Sequence, residues 1–297
     1  MTCRLVVFAC LFLFAACGGK RELEGVVPAE APDRIVSMAP SITECVFAAG
    51  GGERLVGVTS FCNYPPEAAE LPRIGGYSDA NFERIYGMQP DLAILLEEHV
   101  DAGRRLESLG IRWMKVDTAR IGGILATVEE LGGVFGTEEV AAAEVARLQG
   151  VVDGVRAKAA GVEPKRVLVS IGRNMGTGGL TDVYVAGGNT IYQEMLEVMG
   201  AENVYGGSME YAKMSRESIM RLNPDVIIDL IPDLETTGKL KREDVVREWD
   251  VLKEVEAVKQ GRVHVLGNDY VCIPGPRFAL TLRDIAAAVY PEVFEEP

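Results

Sequence analysis

YSDANFERIYGMQPDLAILL, Tyr77 to Leu96, returns 134 positions later as YAKMSRESIMRLNPDVIIDL, Tyr211 to Leu230. The two copies align without a gap. Tyr77 falls on Tyr211, Glu83 on Glu217, Ile85 on Ile219, Pro90-Asp91 on Pro224-Asp225 and Leu96 on Leu230. Each copy predicts the same unit. A polar residue, Asn81 or Asp79 in the first and Ser215 in the second, caps a short helix. A glutamate lies in that helix's first turn, where the dipole favours a carboxylate. Pro-Asp stops the helix, and an apolar run follows as a buried strand. A single repeat at so long a spacing is no solenoid, whose periods are ~20–50 residues. It predicts two similar lobes, and a cleft between lobes is where small ligands bind.

Outward from the first copy, strand and helix alternate. Arg34 to Ala39 and Leu55 to Thr59 read as strands, with Ser41 and Glu44 at capping-box spacing between them. Pro65-Pro66 in FCNYPPEA marks a turn. Asp101 to Leu109 is a helix and Ile111 to Val116 a strand. This βα alternation predicts an α/β fold, with a parallel sheet covered by helices on both faces. Residues 137–160 contain no Pro and bring apolar residues round at Val140, Val145, Leu148, Val151 and Val155. We read them as one long helix spanning the lobes. The expected organisation is an N-terminal lobe over 33–135, an interlobe helix within 136–162 and a C-terminal lobe over 163–297. The second lobe opens on the strand Arg166 to Ile171, and its helix over 189–199 ends at Gly200.

Ahead of the lobes, residues 1–16 read as a signal peptide. One charge, Arg4, precedes an apolar run that ends in Ala15-Ala16. That run is shorter than the ~20 residues a membrane span needs. FAAC, ending at Cys17, resembles a bacterial lipobox, with Phe14 where Leu is usual. The resemblance implies cleavage before Cys17 and its acylation, leaving 17–32 as a lipidated tether to a membrane surface. The chain carries a net charge of −14 and is 48% apolar. That argues against a nucleic-acid partner and for an exported protein with a sizeable core. Cys45, Cys62 and Cys272 are an odd set, read equally as buried thiols or as one disulfide plus a thiol. No Cys/His spacing predicts zinc. Glu97-Glu98-His99 reads as a strand-to-helix loop rather than a metal site, and no metal is expected.

RIVSMAPSITE, CNYPPEA, ERI…PDL, SRES…NPDVI, W…AV…GRV and PGPR together carry a resemblance across residues 34–291. The chain is similar to the substrate-binding proteins of ABC importers for cobalamin, ferric siderophores and haem. CNYPPEA and PGPR look most like the cobalamin branch. The resemblance implies two Rossmann-like lobes joined by a single long helix, a ligand cleft between them, and a location in the periplasm or at the cell surface. It implies a permease and its ATPase subunits as partners, and no cofactor beyond the transported ligand. It places Tyr77, Tyr211, Asp269 and Tyr270 in the cleft, with Cys62, Asn63, Tyr64 and Arg173 nearby. YAKMSRES, GGYSD and NDY set tyrosines where the cobalamin protein has tryptophans. A cleft of few charges is expected for a nearly neutral corrin, whose wide face suits aromatic rings. Haem is the alternative ligand, because Tyr77 in GGYSD stands where haem proteins of the group hold iron. Ferric siderophores call for a basic cleft, for which Arg173 is the one candidate. Glu83 and Glu217 are implied as permease-docking residues. The chain has no nucleophile–base constellation, so no enzyme is expected.

Overall fold

A computed structural model of the protein describes residues 31–175, 180–232, 234 and 240–294. The expected signal segment and the tether up to residue 30, Cys17 included, lie outside them. In the first lobe the strands are β1 (Ile35–Ser37), β2 (Leu55–Val58), β3 (Leu92–Leu95) and β4 (Trp113–Lys115). They form one sheet in the order β2-β1-β3-β4, every pair parallel. The helices α1 (Pro40–Ala48), α2 (Pro66–Ala69), α3 (Phe82–Gly87) and α4 (Val100–Ser108) lie between these strands, and α5 (Ile121–Phe135) follows them. Then α6 (Glu138–Ala159), 22 residues long and so ~33 Å from end to end, carries the chain to the second lobe. There the strands are β5 (Arg166–Asn174), β6 (Thr181–Ala186), β7 (Glu202–Asn203), β8 (Tyr211–Met214), β9 (Val226–Leu230) and β10 (Val263–Leu266). Helices α7 (Ile191–Val198) and α8 (Arg216–Leu222) precede β7 and β9 respectively. The sheet order is β10-β9-β5-β6-β8, with β7 paired to the start of β5.

The second sheet departs from the all-parallel expectation. β6 runs antiparallel to both β5 and β8. Only residues 175–180 separate β5 from β6, and a parallel crossover needs a dozen residues or more. The two repeat copies therefore share helix and strand but differ at their first residue. Tyr77 sits in a loop beside the isolated Gly75–Ala80 bridge, whereas Tyr211 opens β8.

The rest of the repeat is explained by one staple, made in each lobe. The Asn81 side chain accepts the Arg84 amide at 2.9 Å, and Ser215 accepts the Ser218 amide at 3.2 Å. Past each helix a left-handed residue, Gln89 (φ 50°) or Asn223 (φ 44°), turns the chain into its Pro-Asp. Asp91 then accepts the backbone N–H of Asp33 and Arg34, and Asp225 that of Arg166. The same arginines close the helix ends. Arg34 donates to Met88 O at 2.7 Å and Arg166 to Leu222 O at 2.7 Å. A cation on the last carbonyls of a helix satisfies orphan acceptors and opposes the dipole. Pro-Asp is thus a strand anchor as well as a helix stop.

Alternate residues of each strand serve different layers. Ile35, Ile94, Val167 and Ile228 face one continuous apolar cluster that includes Leu131 of α5 and Leu148, Val152 and Val155 of α6. Leu282 and Tyr290, from the late helix Phe278–Val289 and the residue after it, complete it. The lobes therefore share one inner core, built around the helix that joins them. Val140, expected on its apolar face, is instead exposed. Val36 and Ala93 face an outer cluster with Ile85 of α3, and Leu168 and Ile227 face another with Ile219 of α8. The repeated helices thus cover the outer faces, and burying each isoleucine contributes about 1.5–3 kcal/mol.

Candidate functional site

A cleft of about 1600 Å³ opens between the lobes. The first lobe lines it with the segments that follow its four strands. These are Ser41 after β1, Phe61 after β2, Leu96 to Glu98 after β3, and Val116 to Ala119 after β4. The carboxyl ends of parallel strands are where open α/β sheets present loops to ligands. The second lobe contributes the start of α7, Glu210-Tyr211 at the start of β8, and Cys272 to Pro274. Tyr211 thus comes from the amino end of a strand, a position that β6 creates by reversing the chain.

Polar anchoring fixes the walls. The Tyr77 hydroxyl donates to Glu98 Oε1, and its ring meets the His99 ring edge-on at 4.6 Å between centroids. Burial, and then Glu98, push the Tyr77 hydroxyl well above the usual tyrosine range. Burial holds the neighbouring His99 below its ordinary value, so this histidine is neutral at neutral pH. Tyr192 donates to Val271 O at 2.7 Å, which leaves its ring as wall. At the base, Glu194 of α7 reaches across to the first lobe. It accepts the Ile121 amide at 2.8 Å, at the start of α5, and Arg120 Nη1 at 3.0 Å. A carboxylate at a helix N-terminus is favourable, so this bridge holds the lobes in register.

The expectation of few charges does not survive. Among the described residues, five carboxylates line the cleft, Glu97, Glu98, Asp117, Glu130 and Glu210, against one amine, Lys115, which pairs with Glu97 at 2.6 Å. The cleft is acidic. Phe61, missed in the sequence reading, is 60% exposed on its wall. The available signal was its place at the end of a strand, ahead of a Pro-Pro turn.

Tyr77 and Tyr211 are brought together on the cleft, and the other residues expected there are not among those lining it. The Arg173 side chain is fully buried, donating to Asp229 at 2.9 Å, to Glu248, and to Val245 O at 3.0 Å. A cation so enclosed offers no charge to a siderophore. Cys62 is buried between Thr43 and Thr59, and Asn63 bonds Arg73 on the surface. Cys45, Cys62 and Cys272 are all free thiols. Cys272 is the one on the cleft, pushed up to about 11 by burial.

Tyr64, Asp269 and Tyr270 belong instead to a knot around Arg277. This guanidinium donates to Glu44 of α1 at 2.7 Å and to Asp269 at 2.8 Å. It lies 4.1 Å from the centroid of the Tyr64 ring and 5.5 Å from that of Tyr270. Tyr270 in turn donates to Asp284 at 2.7 Å. The knot joins the lobes across 233 positions of sequence. It also explains why the expected capping box is absent. α1 starts at Pro40 with no side-chain cap, and Glu44 turns to the other lobe. A Cβ on Gly275 would stand 2.9 Å from Glu44 Oε2, so PGPR needs its glycine for clearance and its arginine for charge. Gly275→Ala is expected to displace this carboxylate and cost about 1–3 kcal/mol, measurable by chemical denaturation.

Comparison with known proteins places this geometry. An ABC transporter substrate-binding lipoprotein of Bacillus subtilis, itself uncharacterized, is 30% identical over 273 residues, covering 89% of this chain and 82% of that protein. The vitamin B12-binding protein of Yersinia pestis is 30% identical over 206 residues, 68% of this chain and 71% of its own. The solved periplasmic heme-binding protein RhuT of Roseiflexus, in apo form, superposes with a TM-score of 0.72 at 26% identity. It covers 88% of this chain and 99% of that one. Two α/β lobes facing each other over a cleft and joined by one helix define a solute-binding protein of the ABC-importer class. The chain belongs to the periplasmic binding protein family, whose model matches residues 35–270.

Proposed function

We propose that the protein captures cobalamin or a related corrinoid in the interlobe cleft and delivers it to an importer's permease, binding without catalysis. The chemistry of the cleft carries this reading. At about 1600 Å³ it exceeds the ~300–1,000 Å³ of ordinary small-molecule pockets, as a macrocycle requires. Phe61, Tyr77 and Tyr211 offer rigid aromatic area to a corrin face. The five carboxylates are acceptors for amide N–H groups such as a corrin's arms carry. Haem propionates and anionic siderophores meet repulsion from the same groups. The vitamin B12-binding relative supports the reading. Haem stays the rival through Tyr77, whose hydroxyl faces Glu98. Calorimetric titration with cyanocobalamin, haemin and a ferric siderophore separates them. Cobalamin is expected to bind at least about tenfold more tightly than the others, and a preference for haemin overturns the proposal.

Two further assignments complete the reading. Cys17, the first residue of the mature chain, carries the acyl groups that hold the protein at the outer side of a membrane. More than one acyl chain is needed for stable anchoring. The Bacillus relative is named a lipoprotein, which supports this. Mass spectrometry of protein extracted from membranes is expected to find an acylated Cys17 at the N-terminus, and an unmodified chain starting elsewhere rules it out. Glu83 and Glu217, exposed in the first turns of α3 and α8, receive arginines of the permease. A carboxylate and a guanidinium pair through two hydrogen bonds, and such pairs set register and encounter rate more than affinity. Glu217 is held below the usual carboxylate range by its own backbone N–H and then by Ser215, so it stays ionised.

A further inference from the structure

The repeat matches one more pair of residues, and their exposure gives them meaning. Tyr86 and Met220 stand 134 positions apart and are 59% and 42% exposed. No other two exposed large hydrophobic residues among those described share that offset. Each follows its glutamate by three positions in a short helix, so carboxylate and apolar group share one outward face. The inward position between them, Ile85 or Ile219, is fully buried. Tyr86 and Met220 therefore add little to either outer core, and each leaves apolar surface in water.

We infer that Tyr86 and Met220 are the apolar anchors of the permease-docking surface, one per lobe, each seating in an apolar pocket beside the arginine that receives its glutamate. The inference rests on the docking reading of Glu83 and Glu217. It supplies what that reading lacks, because exposed ion pairs contribute little affinity. Affinity at interfaces comes from a few apolar side chains that bury on contact, ringed by groups that exclude water. Tyrosine and methionine are among the types enriched there. Excluding water also strengthens the neighbouring ion pair, which salt would otherwise screen. The occupant is thus a protein surface with a basic group and an apolar pocket at each of two matched places.

The test uses the purified full chain and the importer's permease–ATPase complex in lipid nanodiscs, with empty nanodiscs as control. Tyr86→Ser and Met220→Ser are each expected to weaken docking about tenfold, and the pair about a hundredfold, by surface plasmon resonance. Tyr86→Phe with Met220→Leu is expected to dock as the native chain does. Cyanocobalamin binding by the free protein is read in parallel and should not change. Glu83→Lys with Glu217→Lys tests the underlying reading. If charge reversal abolishes docking while both serine variants dock normally, this inference is wrong and the docking reading stands. If neither set matters, or the native chain does not dock, both fall. Equal capture by empty nanodiscs makes the two residues lipid contacts and also overturns it.

Discussion

Arg277→Ala is expected to destabilise the folded protein by about 3–5 kcal/mol, the cost of leaving a buried charge without its partner. The pair it breaks is nearly sealed from water, with side chains 9% and 2% exposed for Arg277 and Glu44. Burial already raises the Glu44 carboxyl above the usual carboxylate range, and Arg277 pulls it back. Removing the arginine therefore raises it further. A carboxylate raised in the folded state contributes stability below its unfolded pKa, and that contribution is lost as pH rises through the folded value. The deficit of the variant should accordingly shrink on going from about pH 8 to about pH 5, as Glu44 takes up a proton. Urea denaturation at both pH values reads this directly. Adding Glu44→Gln should recover much of the loss at the higher pH, since a neutral amide stands where the orphaned charge was. A deficit independent of pH, or one that the second change deepens, would show that packing against Tyr64 and Tyr270 matters more than charge.

Tyr77→Ala with Tyr211→Ala is expected to weaken cyanocobalamin binding by about a hundredfold, each ring contributing about tenfold. The two rings come from opposite lobes, and both line the cleft. Tyr77 is held by Glu98 and by the His99 ring, so its orientation exists before ligand arrives. Neither ring is fully buried, so the thermal midpoint should move little. Tyr77→Phe then separates the two ligand readings. A stacking ring keeps its affinity for cobalamin within about threefold without the hydroxyl. If haemin is the ligand and the phenol its iron partner, the same change abolishes that binding. Isothermal calorimetry with both ligands decides, and unchanged affinity in the double alanine variant removes these tyrosines from the site.

The repeat was legible in the sequence because its parts are local. A capped helix, a Pro-Asp stop and an apolar strand each follow from neighbours a few positions apart, as Asn81, Ser215 and the buried β3 and β9 bear out. The long helix was legible for the same reason: the absence of proline and a run of helix formers are properties of one segment. The structure sets Tyr77 and Tyr211 on a common cleft, whereas the six other residues that the resemblance implied for it lie elsewhere. What decides their fate is who meets them from distant sequence. Glu44 has capping-box spacing and no local reason to do otherwise, until Arg277 arrives from 233 positions away with a charge that a buried carboxylate must have. Arg173 looks like a ligand's counter-ion until Asp229 and Glu248 enclose it. The acidity of the cleft is likewise a sum over five residues from both lobes that no motif contains. The sequence by itself determined the elements, their order and the two-lobed plan, because backbone hydrogen bonding and apolar periodicity act over short spans. Only the tertiary structure decided which polar side chains face the ligand and which tie the lobes together, because burial sets the partner a charge must find, and burial exists only once the lobes have met.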